Sequence, residues 1–369
     1  MSDVQERVQD VLDELVASGT ERGLQVAAYV DGELVVDAVA GHADGSGRPV
    51  EPGTAFYNYS IGKGATATLV HQQVDAGRIG YDTRVAEVWP EFARHGKDAV
   101  TVRHVLTHTA GVPGLPPDVS VDDICSWETM TRALEDQEPW WEPGTKVGYH
   151  AYTFGYLAGE VVRRVTGRAL ADVLRDDLAG PLGHPHEIFF GVPAPDTHRL
   201  AVLEDAPSEL DWSAMGLPDD APILRAVPTH VFPSAALGND PRVVAADIPA
   251  GGKVSARAVA KMYAALVGEV DGVRLVTPER LAELCTLGSC GRDEVFGNES
   301  AWALGFALGV PWGDHRAGAG PRVFGMAGAG GSWAGAVPER GLALAVTKNT
   351  LTNDFDAVAR VGRLVLEAV

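Results

Sequence analysis

Apolar residues recur along the chain at spacings that predict a mixture of helices and strands. Val4, Val8 and Leu12 lie four residues apart, which predicts an amphipathic first helix. The next segment alternates between apolar and other residues around Asp31-Gly32, a dipeptide typical of the two-residue turn that closes a β-hairpin. The pattern therefore predicts a helix followed by two antiparallel strands.

The pattern changes after the hairpin. Helical spacing predominates from a helix that begins near Ser60 and ends at Gly77, through about the next hundred residues. A loop-rich passage over 203–252 is dense in Pro and Ala, and helical spacing then returns in SARAVAKMYAALVG and TPERLAELCTLG. The last part predicts glycine-connected strands over WALGFALGV, VFGMAGAGGSWAGAV and LALAVTKNT, and a closing helix over DFDAVARVGRLVLEAV.

This order of elements predicts an α/β (α+β) fold in which both ends of the chain build one layer around an all-helical insertion. We expect a single catalytic unit with an α/β subdomain over about 1–80 and 250–369 and a helical subdomain over about 81–249. The helix near Ser60 begins at their junction. Substrate clefts commonly lie at such junctions.

Composition limits the partners. The chain has 369 residues, of which 46% are hydrophobic and 22% charged, enough for a large core. A formal net charge of −20, with no basic run, argues against a nucleic-acid partner. The sequence contains no run of about eighteen apolar residues, so it predicts no membrane span. The acidic first helix lacks the basic start of a secretory signal, which predicts a cytoplasmic protein.

Cysteines and histidines offer little evidence of a metal site. Cys125, Cys285 and Cys290 lack metal-site spacing and are few for a disulfide framework, so we expect buried or spare thiols. His104 and His108 in HVLTH are four residues apart, as zinc ligands can be, but the Glu of a metalloprotease is missing. We expect structural histidines, one of which holds the following loop by a hydrogen bond, and no metal or other cofactor.

Ser60 and Lys63 are a candidate catalytic pair. They are three positions apart, so on a helix both side chains share one face. A lysine is disfavoured at a helix N-terminus because the peptide dipoles make that end electropositive. The simple structural interpretation is an N-cap serine followed by a solvated lysine. The functional interpretation is a buried lysine whose pKa is low enough to accept the proton of Ser60.

A second serine, Ser332 in GGSWAG, nearly matches the nucleophile elbow of α/β-hydrolases. Ala334 stands where that pattern requires Gly, and no histidine follows Ser332 to complete a triad in the order of that fold. We therefore favour Ser60.

Several further segments resemble segments of the serine β-lactamase and penicillin-binding-protein superfamily and occur in the order that the family has. The resemblance is specifically to its class C-like branch of esterases and transacylases. The resemblance implies a β-lactamase-like fold, with an antiparallel sheet flanked by helices, an all-helical subdomain and an active site between them. The segments that accompany Ser60-x-x-Lys63 are TVRHVLTHTAGVPGL, WEPGTKVGYHAYTFGYLAGEVVRRVTG, IPAGGKVSARAVAKMYAAL and FGMAGAGGS.

The resemblance also implies roles for downstream residues. Tyr149 occupies the tyrosine of the family's Tyr-x-Asn motif, with Ala151 in place of Asn. Met326-Ala327-Gly328 occupies the position of Lys-Thr-Gly or His-x-Gly. By position, the backbone N–H groups of Ser60 and Ala329 would form the oxyanion hole. Losing the basic side chain at Met326 disfavours substrates that carry a carboxylate, so a neutral ester fits better.

We therefore expect acyl transfer through an acyl-Ser60 intermediate, with Lys63 as base and Tyr149 as proton relay. Because the titrations of Lys63 and Tyr149 would be coupled, the two residues could exchange these roles. The partners would be a small-molecule ester or acyl donor and, for a transacylase of natural-product metabolism, an alcohol or amine acceptor. A carboxylesterase would use water instead. The alternatives are a D-amino-acid peptidase or amidase and a non-catalytic binding protein on the same scaffold.

Substrate contacts are predicted at Ala151, at Met326-Ala327-Gly328 and at Trp333. Tryptophans are candidates for lining an apolar pocket, although core packing is their commoner role. The candidates are Trp140, Trp141, Trp212, Trp302 and Trp333.

Overall fold

The strands come mainly from the two ends of the chain. The computed structural model describes residues 2–206, 218, 220–311, 322–352 and 354–369. The strands within these residues are β1 Gly23–Val30, β2 Glu33–Gly41, β3 Phe56–Tyr57, β4 Ile188–Phe189, β5 Glu204–Asp205, β6 Lys253–Val254, β7 Ser289–Arg292, β8 Glu299–Trp302, β9 Ala307–Leu308, β10 Phe324–Gly328, β11 Ser332–Val337, β12 Leu342–Lys348 and β13 Thr350–Leu351.

Eight of the described strands form one antiparallel sheet in the order β2-β1-β12-β11-β10-β9-β8-β7. The first hairpin closes at Asp31 and Gly32, whose φ angles of 48° and 84° suit a two-residue turn, so the predicted hairpin is confirmed. Strand β1 pairs with β12, and Val26 lies opposite Val346. The N-terminal and C-terminal segments of the chain therefore pair inside the sheet, one strand away from its β2 edge.

Helices cover both faces of this sheet and fill the middle of the chain. Within the described residues they are α1 Ser2–Ala17, α2 Gly62–Asp75, α3 Val85–Val88, α4 Val102–Leu106, α5 Val121–Ile124, α6 Trp127–Asp136, α7 Thr153–Thr166, α8 Leu170–Leu174, α9 Pro222–Ala226, α10 Ala235–Gly238, α11 Pro241–Ala245, α12 Ala256–Val267, α13 Pro278–Leu284 and α14 Asp356–Ala368.

Two hydrophobic clusters hold these layers together. On one face, α1 and α14 bury side chains such as Leu12 and Val361 against the sheet. On the other face, α12 packs against β1 and β12, and α2 packs against α7 of the helical region. The start of α2 therefore lies where sheet and helical region meet. The predicted fold class, an antiparallel sheet flanked by helices with an all-helical part, is confirmed.

The structure adds elements that the pattern did not predict. Strand β7 is formed by the residues SCGR, which lack the alternation of a half-buried strand. The passage over 203–252 contains three short helices, α9 to α11, and residues 207–217 and 219 of it lie outside the described residues. The subdomain boundaries near residues 80 and 250 stay predictions. None of the described helices is long and apolar enough to cross a membrane.

Candidate active site

Ser60 lies in a tight turn just before α2. The turn is a 3-10 helix over Tyr59–Ile61, and Tyr59 has a left-handed φ of 45°. The Tyr59 phenol fixes this strained position because it donates a hydrogen bond of 2.5 Å to the Ser234 carbonyl and accepts one of 3.0 Å from the Ser234 N–H. Ile61, not Ser60, occupies the N-cap of α2, so the N-cap interpretation of Ser60 is wrong.

Lys63, in the first turn of α2, is buried with only 1% of its surface exposed. Its Nζ atom lies 2.9 Å from Ser60 Oγ and 3.3 Å from the Ala250 carbonyl oxygen. Within the described part of the chain no carboxylate pairs with this amine. Burial lowers the pKa of Lys63 to about 7, because an ammonium loses its hydration there. A substantial fraction of Lys63 is therefore a neutral amine at neutral pH, able to accept a proton.

Tyr149 reaches Ser60 from the loop that precedes α7. Its hydroxyl donates a hydrogen bond of 2.8 Å to Ser60 Oγ, and the Lys63 Nζ atom lies 4.9 Å from the centre of its ring. Burial raises the pKa of this phenol above its ordinary value. Tyr149 therefore stays protonated at neutral pH, and the opposite pKa shifts of the two groups favour Lys63 as the base.

Histidine and tryptophan side chains hold the Tyr149 loop. The His150 N–H donates to His108 Nδ1 at 3.0 Å, and the Val112 N–H donates to His150 Nε2 at 3.1 Å. Burial lowers the pKa of both histidines, so both are neutral and can accept these hydrogen bonds. Trp302 stacks on the Tyr149 ring at 5.4 Å between centroids. The prediction that a histidine of HVLTH holds the following loop is wrong in its partner: His108 holds the Tyr149 loop, and His150 accepts the Val112 N–H of the loop that follows HVLTH.

Replacing Tyr149 by phenylalanine is expected to lower kcat by roughly 10²- to 10³-fold, the usual contribution of one positioned proton donor. The ring would keep its stacking on Trp302, so the folded state should remain intact. Steady-state kinetics on an activated ester tests this, with circular dichroism as the check on folding. A Tyr149→Phe variant of unchanged kcat would contradict a proton-transfer role for the phenol.

Strand β10 brings Met326-Ala327-Gly328, the segment at the position of Lys-Thr-Gly, beside the Ser60 turn. Met326, Ala327, Gly328 and Ala329 line the same cavity as Ser60 and Ala151. A Cβ atom on Gly328 would lie 2.1 Å from the carbonyl oxygen of Asn58, so the strand can approach the turn this closely only with glycine. Ser60 and Ala329, the residues predicted to supply the oxyanion N–H groups, thus line one cavity.

Gly328→Ala is expected to destabilise the protein by about 1–3 kcal/mol, the usual effect of overpacking, and to lower activity because β10 must move away from Ser60. Gly45→Ala is a matched control, since a Cβ there would meet no atom within 4 Å. Thermal unfolding and ester hydrolysis of both variants test this. Equal stability of the two variants would contradict the close approach.

The prediction that Trp333 contacts substrate is not supported by its position. Trp333 lies in β11 and is buried in the cluster of α1 and α14, on the sheet face away from Ser60. Strand alternation explains this, because Met326 lies opposite Ala334, one residue beyond Trp333. The indole packs over Gly325 and Gly335, where a Cβ would meet ring atoms at 2.9 and 2.5 Å.

The other tryptophans divide between pocket and core. Trp302 lines the cavity at Ser60, whereas Trp141 is buried behind it against Gly148 and His150. Trp140 lies in a different cavity, with the Arg225 guanidinium 4.2 Å from its ring centre. Trp212 lies outside the described residues.

The cavity that contains Ser60 has a volume of about 560 Å³. Its lining is largely apolar and aromatic, and includes Tyr57, Phe232 and Phe296. Asp205 and Asp293 are its charged lining residues, and none of the described lining residues is Lys, Arg or His. Among the described residues, no group of three or more His, Cys, Asp or Glu side chains is arranged to hold a metal ion.

Asp293 and Phe296 belong to a pocket wall that sequence reasoning missed. Both lie in the loop between β7 and β8, where Asp293 Oδ1 accepts the N–H groups of Val295 and Phe296 at 2.9 Å each. Burial raises the pKa of the Asp293 carboxyl. The Glu294 N–H donates to the Val147 carbonyl at 2.9 Å, which ties this loop to the Tyr149 loop. No pattern in SCGR indicated the strand that leads into it.

Fold and site together define a protein of the serine β-lactamase and penicillin-binding-protein superfamily, in agreement with the resemblance in the sequence. The Beta-lactamase family model matches residues 8–368, so the chain belongs to that family. The chain is 33% identical over 343 residues to "Esterase/beta-lactamase LipL" of Mycobacterium tuberculosis (strain ATCC 25618 / H37Rv), covering 89% of this chain and 77% of that protein.

Two solved structures are similar over nearly the whole chain. A family VIII carboxylesterase shares 31% identity with a TM-score of 0.88, covering 99% of this chain and 98% of that one. A penicillin-binding-protein homologue from Caulobacter crescentus shares 34% identity with a TM-score of 0.84, covering 98% and 96%. These similarities confirm the predicted superfamily and the β-lactamase-like fold.

Proposed function

We propose that this protein is a serine esterase that acts through an acyl-Ser60 intermediate. One observation carries the proposal: Ser60 Oγ lies 2.9 Å from Lys63 Nζ and 2.8 Å from the Tyr149 hydroxyl, at an open cavity. A serine hydroxyl needs an adjacent base to act as a nucleophile at neutral pH, and the lowered pKa of Lys63 supplies one.

In the first half-reaction, the neutral Lys63 amine takes the proton of Ser60 as Oγ bonds to the ester carbonyl carbon. The carbonyl oxygen becomes an oxyanion, which the backbone N–H groups of Ser60 and Ala329 would stabilise. When the intermediate collapses, the carbon–oxygen bond to the alcohol breaks. Tyr149 protonates the departing alkoxide and regains a proton from the Lys63 ammonium. The alcohol leaves and the acyl group stays on Ser60.

In the second half-reaction, an acceptor attacks the acyl-Ser60 carbonyl. Lys63 and Tyr149 remove its proton and return one to Ser60 Oγ. With water the product is a carboxylic acid and the protein is a carboxylesterase, the activity in the name of one similar structure. With an alcohol or amine the product is a new ester or amide, and the protein is a transacylase. The chemistry at Ser60 is the same in both cases.

The lining of the cavity supports an ester without a carboxylate. Met326 is buried at the position of the family's basic residue, and none of the described lining residues is basic. A substrate carboxylate would therefore enter without a cationic partner and close to Asp205 and Asp293, which is unfavourable in a largely apolar cavity. This disfavours β-lactams and cell-wall peptides as preferred substrates.

Intact-protein mass spectrometry after brief exposure to activated neutral esters tests the proposal, with Ser60→Ala as the matched control. We expect an acyl adduct on the wild-type protein alone. An adduct that decays in buffer identifies a carboxylesterase, and one that persists until an alcohol or amine is added identifies a transacylase. Faster turnover of D-amino-acid amides than of esters would favour the amidase alternative. No adduct with any ester would favour a non-catalytic binding protein.

A further inference from the structure

The charged residues that the structure describes on the walls of the Ser60 cavity have one sign. Among the described lining residues, the charged ones are Asp205 and Asp293, both acidic, and the chain as a whole has a net charge of −20. A cleft lined by one sign of charge between low-dielectric walls concentrates the potential and attracts ligands of the opposite sign. The electrostatics of the cavity therefore favour a cationic ligand over a neutral one.

Asp205 has a carboxylate oxygen available for such a ligand. Its Oδ1 atom accepts the Ala235 N–H at 2.8 Å, and no other hydrogen bond to this carboxylate occurs within the described residues. Its backbone pairs with Leu351 in the short sheet of β5 and β13. The next residue, Thr352, donates its N–H to the Gly330 carbonyl at 3.2 Å. Asp205 is thereby held on the cavity wall that continues into the loop between β10 and β11.

Asp205 is also linked to the Ser60 turn. The Ala235 N–H that it accepts follows Ser234, whose backbone holds the Tyr59 phenol in two hydrogen bonds. Tyr59 directly precedes Ser60. Hydrogen bonds therefore connect the wall that holds this carboxylate to the Ser60 turn through Tyr59 and to the loop after β10 through Gly330.

Aromatic rings complete this environment. Phe232, Phe296 and Phe355 line the same cavity, and each keeps part of its surface exposed. Ring faces attract ammonium groups, and a carboxylate among aromatic rings is a common way to recognise quaternary and protonated amines. Lys63, the nearest cation to Ser60, is buried beneath the cavity and largely uncharged above pH 7.

We propose that the preferred substrates are esters that carry an ammonium group, which binds between the Asp205 carboxylate and the aromatic rings of the cavity. This inference rests on the proposed esterase function and narrows its substrate class. The inference predicts that kcat/KM is highest for cationic esters, lower for their uncharged isosteres and lowest for anionic esters.

Matched esters test the charge preference directly. Butyrylcholine and 3,3-dimethylbutyl butyrate differ only in a charged nitrogen in place of a carbon, and the ethyl esters of 4-trimethylammoniobutyrate and 5,5-dimethylhexanoate form the same pair with the charge on the acyl side. We expect kcat/KM for the cationic member to exceed that of its isostere by roughly tenfold in at least one pair. The ratio should fall with added salt, because salt screens the field.

Asp205→Asn tests whether Asp205 causes the charge preference. The variant removes the negative charge, but asparagine can still accept the Ala235 N–H through its side-chain oxygen. The ratio of kcat/KM values within the preferred pair should fall by several-fold. Asp10→Asn, which removes one charge from the exposed side of α1, is the control and should leave the ratio at the wild-type value.

The outcomes distinguish this inference from the function beneath it. Equal kcat/KM values within both pairs, or a ratio unaffected by Asp205→Asn, would overturn the cationic preference and leave the esterase proposal standing. Failure to hydrolyse any of the four esters, together with absence of an acyl adduct, would overturn both.

Discussion

Replacing Ser60 by alanine is expected to abolish acyl-enzyme formation and to lower kcat/KM for activated esters by roughly 10⁴- to 10⁶-fold, as loss of a serine nucleophile does in other enzymes. The geometry gives the reason. Lys63 Nζ and the Tyr149 hydroxyl both form hydrogen bonds to Ser60 Oγ. Among the described residues, neither group forms a hydrogen bond to a second hydroxyl. Intact-protein mass spectrometry and stopped-time hydrolysis assays measure the two effects.

Ser332→Ala is the matched control for this experiment. Ser332 lies in the sequence segment that resembles a nucleophile elbow, but the structure buries it in β11, where its Oγ accepts the Lys348 N–H at 3.3 Å. Its removal should leave the acyl adduct in place. An adduct that survived Ser60→Ala and disappeared with Ser332→Ala would transfer the nucleophile to the other serine and overturn the proposed mechanism.

The part of the site that the sequence predicted is local or carried by motifs. Ser60 and Lys63 are three positions apart, in the 3-10 turn over Tyr59–Ile61 and the first turn of α2, so their contact is local in the sequence. Tyr149 is 89 residues from Ser60 along the chain, and its prediction rested on the resemblance of its flanking segment. Periodicity alone gives no relation between two such distant residues.

The remaining wall of the cavity depends on contacts that leave no periodic signal. Asp205 belongs to the two-residue strand β5, which pairs with β13 near the far end of the chain. Asp293 and Phe296 follow β7, whose residues SCGR do not alternate. Trp333 illustrates the opposite error: it lies in a motif-rich segment, but strand alternation turns it to the other face of the sheet.

The sequence left open whether Lys63 is solvated or buried, and the structure shows that it is buried. A lysine in the first turn of a helix is usually solvated, and only the packing of α2 against α7 and the loop at Ala250 removes it from water. That burial lowers its pKa and makes it useful as a base. It also has a consequence for stability, because the folded state must hold the lysine in an environment that disfavours its charge.

Lys63→Met is therefore expected to change activity and stability in opposite directions. Loss of the base should lower kcat/KM by on the order of 10³-fold, within the range of general base catalysis. The folded pKa of Lys63 is about 7, below its ordinary value of 10.5, so stability falls as the pH decreases from about 10 to about 7. Methionine removes this penalty and should stabilise the folded state near pH 7 by on the order of 2–4 kcal/mol.

The pH dependence provides the sharper test. In the wild-type protein, kcat/KM should rise as the pH increases through about 7, because deprotonation produces the neutral amine that accepts the Ser60 proton. The residual activity of Lys63→Met should lack this step, and its melting temperature should exceed that of the wild type by several degrees at pH 7. Lys146→Met, which removes an ammonium that is 52% exposed, is the control for charge alone and should reproduce neither change.

A Lys63→Met variant that kept the wild-type rate and pH profile would require another base. Tyr149 is the other group that contacts Ser60 Oγ, but burial raises the pKa of its phenol, so it would be protonated throughout the neutral range. A tyrosinate mechanism would therefore shift the rise in kcat/KM to strongly alkaline pH. A rise near pH 7 that disappears with Lys63 assigns the base to the lysine, because no titration of Tyr149 can reproduce it.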